Sequence, residues 1–114
     1  MDSAIILLEK MSEDLGLAFE PQDWGIVNSD GARILEFIAY FEKHPNLAPT
    51  QKFDLGGLIL ASANDLLVEE PSADMTPVLY FVEKYRGWFD AHVEYWQSLE
   101  GRTENPLGKE LCGI

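Results

Sequence analysis

Over most of the chain the apolar positions recur at intervals of three and four, the spacing of one helix face. In residues 2–15, Ala4, Leu7, Leu8, Met11 and Leu15 share a face and Glu9 and Glu13 lie opposite. This predicts a first helix with Asp2 or Ser3 as N-cap and Gly16 as its stop. A second is predicted from Ser29 or Asp30 to about Lys43, with Ile34, Phe37, Ile38 and Phe41 as its buried stripe. His44-Pro45 ends it, because the residue before a proline avoids the helical region. A third begins near Pro49-Thr50 and runs to about Val68. There Phe53, Leu55, Leu58, Ile59, Leu60, Leu66 and Leu67 leave little polar face, which marks the central helix of a bundle. Gly56, Gly57, Ala61 and Ala63 are read as letting neighbouring backbones come close.

Beyond the acidic turn at residues 69–74, Thr76 is expected to cap a fourth helix with Pro77 at its first position, running to about Leu99. Val78, Phe81, Val82, Tyr85, Trp88, Phe89, His92, Val93, Tyr95, Trp96 and Leu99 fill one broad arc of it. Glu83, Arg86, Asp90, Glu94 and Gln97 fill the other, with Gly87 among them. Residues 16–29 lack a helical period. Apolar residues flank Pro21-Gln-Asp there, which predicts either a short β-hairpin or a loop pinned by Phe19 and Trp24. Residues 101–114 read as a flexible tail, with a last contact through Leu107 or Leu111. The expected fold is mainly α: a compact four-helix bundle in one domain spanning residues 1–114, with a hairpin or loop between its first two helices.

Charge changes this picture most. Twenty acids face eight bases, for a formal net charge of −12. Residues 1–57 and 58–114 each hold ten acids and four bases, so the charge belongs to the whole body. Such a body repels nucleic acid and anionic membranes and attracts basic partners; acidity that merely keeps a protein soluble is the plainer reading. Cys112 is the one cysteine, so no internal disulfide is expected. No basic stretch precedes the apolar run Ala4–Leu8, and no tract is long enough to span a bilayer, so a cytoplasmic location is expected.

Motifs for chemistry are missing. The two histidines, His44 and His92, fall in no H-E-x-x-H or E-x-x-H spacing, and no C-x-x-C occurs. There is no G-x-S-x-G, G-x-x-x-x-G-K or G-x-G-x-x-G. Neither a catalytic residue, a metal nor a cofactor is expected. His92 reads as a buried, hydrogen-bonded core histidine and His44 as a helix-terminal one. Glu83, Asp90 and Glu94 form an acidic stripe, and Asp54 and Asp65 share one side of the third helix. Either set is a solvated face or a docking surface for a basic protein. Ile6, Tyr40 and Tyr80 fall on the polar sides of their helices, and tyrosines among acids match the anchors of protein interfaces.

The stretches Asp23-Trp-Gly-Ile-Val-Asn28, Phe37-Ile-Ala-Tyr-Phe-Glu-Lys-His-Pro45, Gln51-Lys-Phe-Asp54 and Leu58-Ile-Leu-Ala-Ser-Ala-Asn-Asp65 resemble the small acidic immunity proteins of bacterial toxin systems, including those of contact-dependent inhibition. The likeness covers about residues 23–67. It implies a protein that binds one cognate toxin, often a basic nuclease, and blocks it. On this reading Asp54, Asp65, Glu83, Asp90 and Glu94 steer the partner and Tyr40 and Tyr80 anchor it. Two other readings stand beside it. One is a structural or regulatory subunit, acting as a homodimer or an acidic adaptor. The other is an enzyme or small-ligand binder with a pocket at His92.

Overall fold

The computed structural model describes residues 3–112. Seven α-helices and one 3-10 turn occur among them: α1 (Ser3–Leu15), α2 (Trp24–Val27), the 3-10 turn (Gly31–Arg33), α3 (Ile34–Lys43), α4 (Pro49–Glu69), α5 (Thr76–Lys84), α6 (Arg86–Gln97) and α7 (Leu107–Leu111). No strand is present among the described residues. The four long helices expected correspond to α1, α3, α4 and the α5–α6 pair. Asp2, one candidate cap for α1, lies outside the described residues.

α4 is the central helix, as its pattern predicts, and packs against every other helix and the 3-10 turn. Leu55, Leu58, Ile59, Leu60, Ala63 and Leu67 are buried along it. Its buried polar residues tie three neighbouring segments to it. Gln51 donates to the Leu7 carbonyl of α1 at 3.2 Å. Ser62 Oγ accepts from the Asp30 N–H at 2.9 Å. Asn64 accepts from the Leu107 N–H and donates to the Glu104 carbonyl, both at 3.1 Å. A buried polar side chain is tolerated only when its hydrogen bonds are made, so each of these residues fixes the position of its partner segment.

Gly56 and Gly57 admit α6 side chains rather than its backbone, and the close backbone approach to α4 is made at Gly25 of α2. A Cβ on Gly56 would fall 2.4 Å from the Phe89 ring, and one on Gly25 would fall 3.0 Å from the Leu58 backbone nitrogen. The Phe89 ring of α6 and the backbone of α2 therefore sit directly on the α4 backbone.

Residues 16–29 take the loop alternative, with one turn of helix inside it. Gly16, at φ +66°, ends α1. The Asn28 side chain accepts from the Ala18 N–H at 2.9 Å and donates to the Ala18 carbonyl at 3.0 Å. A side-chain amide thus supplies the pairing that a hairpin partner would give. Trp24 is buried and donates through Nε1 to Ser12 Oγ at 2.8 Å, which docks α2 on α1.

Two further expectations need correction. The single helix over 76–99 is broken at Tyr85, whose φ of −114° and ψ of 28° leave the helical region. Gly87, a weak helix former, follows two residues later. The break serves an aromatic cluster in which Phe81, Tyr85 and Phe89 all meet Phe41, with centroid distances of 5.0, 4.8 and 5.4 Å. Asp74, not Thr76, caps the start of α5, accepting from the Thr76 N–H at 2.9 Å. In the segment read as a flexible tail with a last contact through Leu107 or Leu111, α7 packs on α4 and α6, with both of these leucines 0% exposed. Their apolar burial and the Asn64 bridge hold it there.

Candidate functional site

An open groove of about 710 Å³ runs along α4, flanked by α2 on one side and α6 on the other. Its floor is a stripe of α4: Asp54, Gly57, Ala61 and Asp65. These positions are spaced three, four and four apart, so they share one face over three turns. Two small residues lie between two carboxylates, which deepens the trench at its middle. At a rise of 1.5 Å per residue, Asp54 and Asp65 stand about 16 Å apart along the axis.

The walls are aromatic and apolar. Phe53, His92, Tyr95 and Trp96 line the α6 side, and Asp23, Trp24, Gly25 and Ile26 line the α2 side. Phe53 and Tyr95 are 48% and 57% exposed and Ile26 is 69% exposed, so large apolar surface stands open at the rim. Three carboxylates and no lysine or arginine line the groove.

The carboxylates differ. Asp65 is oriented by the Ser29 hydroxyl, which donates to it at 2.5 Å. Asp54 is half-buried and has no hydrogen-bond or ion-pair partner among the described residues, and burial pushes its carboxyl above the usual range. An unpaired, partly desolvated carboxylate gains most from an arriving cation. Asp23 sits at the rim with φ +59°, in the left-handed region that aspartate tolerates better than most residues.

His92 donates through Nε2 to the Phe53 carbonyl at 2.7 Å and stacks on the Phe53 ring at 4.1 Å. Since the carbonyl can only accept, Nε2 holds the proton and Nδ1 is left as an acceptor. Burial pushes the imidazole below its ordinary value, partly opposed by the Phe53 carbonyl, so His92 is neutral at neutral pH and does not offset the acidic lining. The expected hydrogen-bonded histidine is present, but half-buried on a groove wall. Among the described residues no group of three or more His, Cys, Asp or Glu side chains is placed to hold a metal ion.

Of the seven residues singled out from the sequence, the groove gathers Asp54 and Asp65. Tyr40 lies elsewhere: its hydroxyl donates to Asp14 at 2.8 Å and its ring stacks on His44 at 4.1 Å. Burial, and then the bond to Asp14, push that phenol up to about 12. Tyr80 is 67% exposed on α5, which contributes nothing to the groove. Glu83, Asp90 and Glu94 are divided between α5 and α6 by the break at Tyr85, and Asp90 pairs with Arg86 at 2.9 Å. The groove opens beside His92, where the ligand-binding reading places a pocket among the surrounding aromatics such as Tyr95 and Trp96; sequence reasoning gives Asp23 and Phe53 no part in a site. The spacing Asp-x2-Gly-x3-Ala-x3-Asp on α4, two acids separated by small residues on one face, is the signal that points to them.

No protein-family model matches the chain, and no curated protein and no solved structure matches it either. Among the described residues, no helix is long and apolar enough to cross a membrane.

Proposed function

We propose that this chain is a non-enzymatic binding protein that captures a basic protein partner in the α4 groove. The carrying observation is the lining itself: carboxylates at both ends of an apolar trench, with no lysine or arginine between them. A cationic side chain arriving there meets uncompensated negative charge, and its apolar neighbours meet the exposed Phe53, Tyr95 and Ile26. The overall charge of −12 would steer such a partner from a distance.

Two features argue for binding over catalysis. Asp54 and Asp65, about 16 Å apart along the helix, are too distant to act as an acid–base pair on one bond, for which carboxylates stand roughly 5–9.5 Å apart. His92 donates its one proton to the Phe53 carbonyl and so has none to give a substrate. The resemblance to immunity proteins supplies the class of partner: a basic bacterial toxin, a nuclease being the commonest kind, neutralised in the cytoplasm by occlusion of its working surface. On this reading the protein contacts neither nucleic acid nor membrane itself.

The test is affinity capture from the native host with the wild-type chain and an Asp54→Asn/Asp65→Asn variant side by side. The proposal expects a basic protein retained by the wild type, released by salt, lost by the variant, and inhibited in its own activity when bound. Equal retention by both forms would place the contact elsewhere. The competing reading is a homo-oligomeric subunit, favoured by the exposed Leu35 and Val68 outside the groove. It predicts a dimer mass at micromolar concentration and no basic partner.

A further inference from the structure

The two floor carboxylates differ in their surroundings, and the difference bears on which cation each can take. We propose that the Asp54 end of the groove is a subsite for a guanidinium group, so that the basic partner is held there by an arginine side chain and not by a lysine. This rests on the basic-partner reading above and deepens it.

The subsite is built around Gly57. A Cβ at Gly57 would lie 3.2 Å from His92 Cε1 and 3.9 Å from its Nδ1. Asp54, three residues earlier on α4, is the neighbour of Gly57 on the helix surface, with about 5–6 Å between such Cβ positions. Carboxylate and imidazole therefore flank the space that the glycine leaves open. Phe53 completes the surround: its ring stacks on the imidazole at 4.1 Å and 28° and is still 48% exposed.

These groups offer acceptors and aromatic surface. Asp54 is half-buried and has no partner among the described residues. His92 Nε2 donates to the Phe53 carbonyl, which leaves Nδ1 as an acceptor. A guanidinium carries five donors in one plane and no acceptor. It can donate from its edge to a carboxylate and a ring nitrogen while its flat face lies against an aromatic ring. An ammonium is a compact, more strongly hydrated charge, so a half-buried site costs it more desolvation and returns fewer directed bonds. Arg33 shows the arrangement within this chain: it donates to both oxygens of Glu36, at 2.9 and 2.6 Å, and lies 5.0 Å over the Phe37 ring. Asp65, by contrast, is exposed and held by the Ser29 hydroxyl, a setting that takes either cation.

The probes are two acetylated, amidated hexapeptides in which glycine alternates with three arginines or with three lysines, so that charge and spacing are equal. Binding to the intact chain is read at low salt by calorimetry and from amide NMR shifts. The arginine peptide should bind about fivefold tighter. Phe53→Leu should bring it down to the level of the lysine peptide, whose own affinity should stay within about twofold. Asp54→Asn should weaken the arginine peptide about tenfold and abolish its advantage. Asp65→Asn should weaken both peptides alike, by about threefold. Glu9→Gln, at an exposed position of α1, removes the same charge and should alter neither; thermal melts confirm folding of every variant. Equal affinity of the two peptides for the wild type, with both weakened by Asp54→Asn, would overturn the guanidinium subsite and leave the basic-partner reading in place. An arginine advantage that survives both Asp54→Asn and Phe53→Leu would also overturn it, because the preference would then arise elsewhere. Failure of both peptides to bind at low salt would remove both readings.

Discussion

Truncation of Leu107 to alanine tests whether α7 is part of the body and, through it, whether one end of the groove is built as described. Leu107 is 0% exposed, and its backbone N–H is held by the buried Asn64 side chain. Removing a fully buried leucine side chain loses its transfer energy and leaves a cavity, together about 2–5 kcal/mol. The α4 backbone is pinned on all sides and cannot collapse into the gap, which argues for the upper half of that range. With an unfolding entropy of about 2.1 cal/mol/K per residue, a chain of 114 residues loses roughly 4 °C per kcal/mol. The expected fall in Tm is therefore about 14–20 °C, measured by circular dichroism melts and checked against urea midpoints at constant m. Because Asn105 and Asn64 both line the groove, the same variant should weaken partner binding. A change under about 0.5 kcal/mol, the size of an ordinary surface substitution, would refute the docking of α7 and with it the floor plan of that end of the site.

Other expectations follow from the same geometry. Gly56→Ala sets a methyl group 2.4 Å from the buried Phe89 ring, and overpacking outweighs the gain in helix propensity for a net loss of about 1–2 kcal/mol. Gly87→Ala meets nothing within 4 Å and should stabilise by up to about 1 kcal/mol; paired denaturant titrations separate the two. Since burial raises the Asp54 carboxyl, its ionised form opposes folding once the pH is above the raised value. Asp54→Asn should thus raise the Tm of the free chain at neutral pH while weakening binding, and an unchanged or lower Tm counts against an unpaired Asp54. Partner affinity should fall as pH drops below 6.5, because His92, depressed from that value, gains a positive charge inside the groove and Asp54, raised from 3.8, then loses its negative one. Calorimetry from pH 7.5 to 4.5 would show this, and a flat profile would exclude both groups from the contact.

What the sequence made legible followed from periodicity. The near-continuous apolar pattern of 49–68 identified α4 as central, and Gly56 and Gly57 marked where α6 comes close, through its side chains. Three features were not legible, each decided by tertiary contacts. The helix over 76–99 breaks at Tyr85 because Phe81 and Phe89 both converge on Phe41, which no local pattern encodes. α7 is held by Asn64, 43 residues away in sequence. Of the hairpin and loop readings left open for 17–27 the loop is the one present, because one side chain, Asn28, supplies the backbone partner. The site shows the same division. Asp54 and Asp65 stood out as acids on one helix face, whereas Phe53, Tyr95 and Trp96 read as core. Only the packing of α6 on α4 shows that they face an open groove, leaving Phe53 and Tyr95 exposed.

The most direct test of basic-partner capture is an NMR titration of the labelled chain with an arginine-rich peptide standing in for the partner. The account predicts shifts concentrated at the amides of Gly57, Ala61, Asp65 and Tyr95 and at the Trp96 indole, diminished by salt. Shifts confined to Glu83, Asp90 and Glu94 on the outer faces of α5 and α6, or none at all, would contradict it.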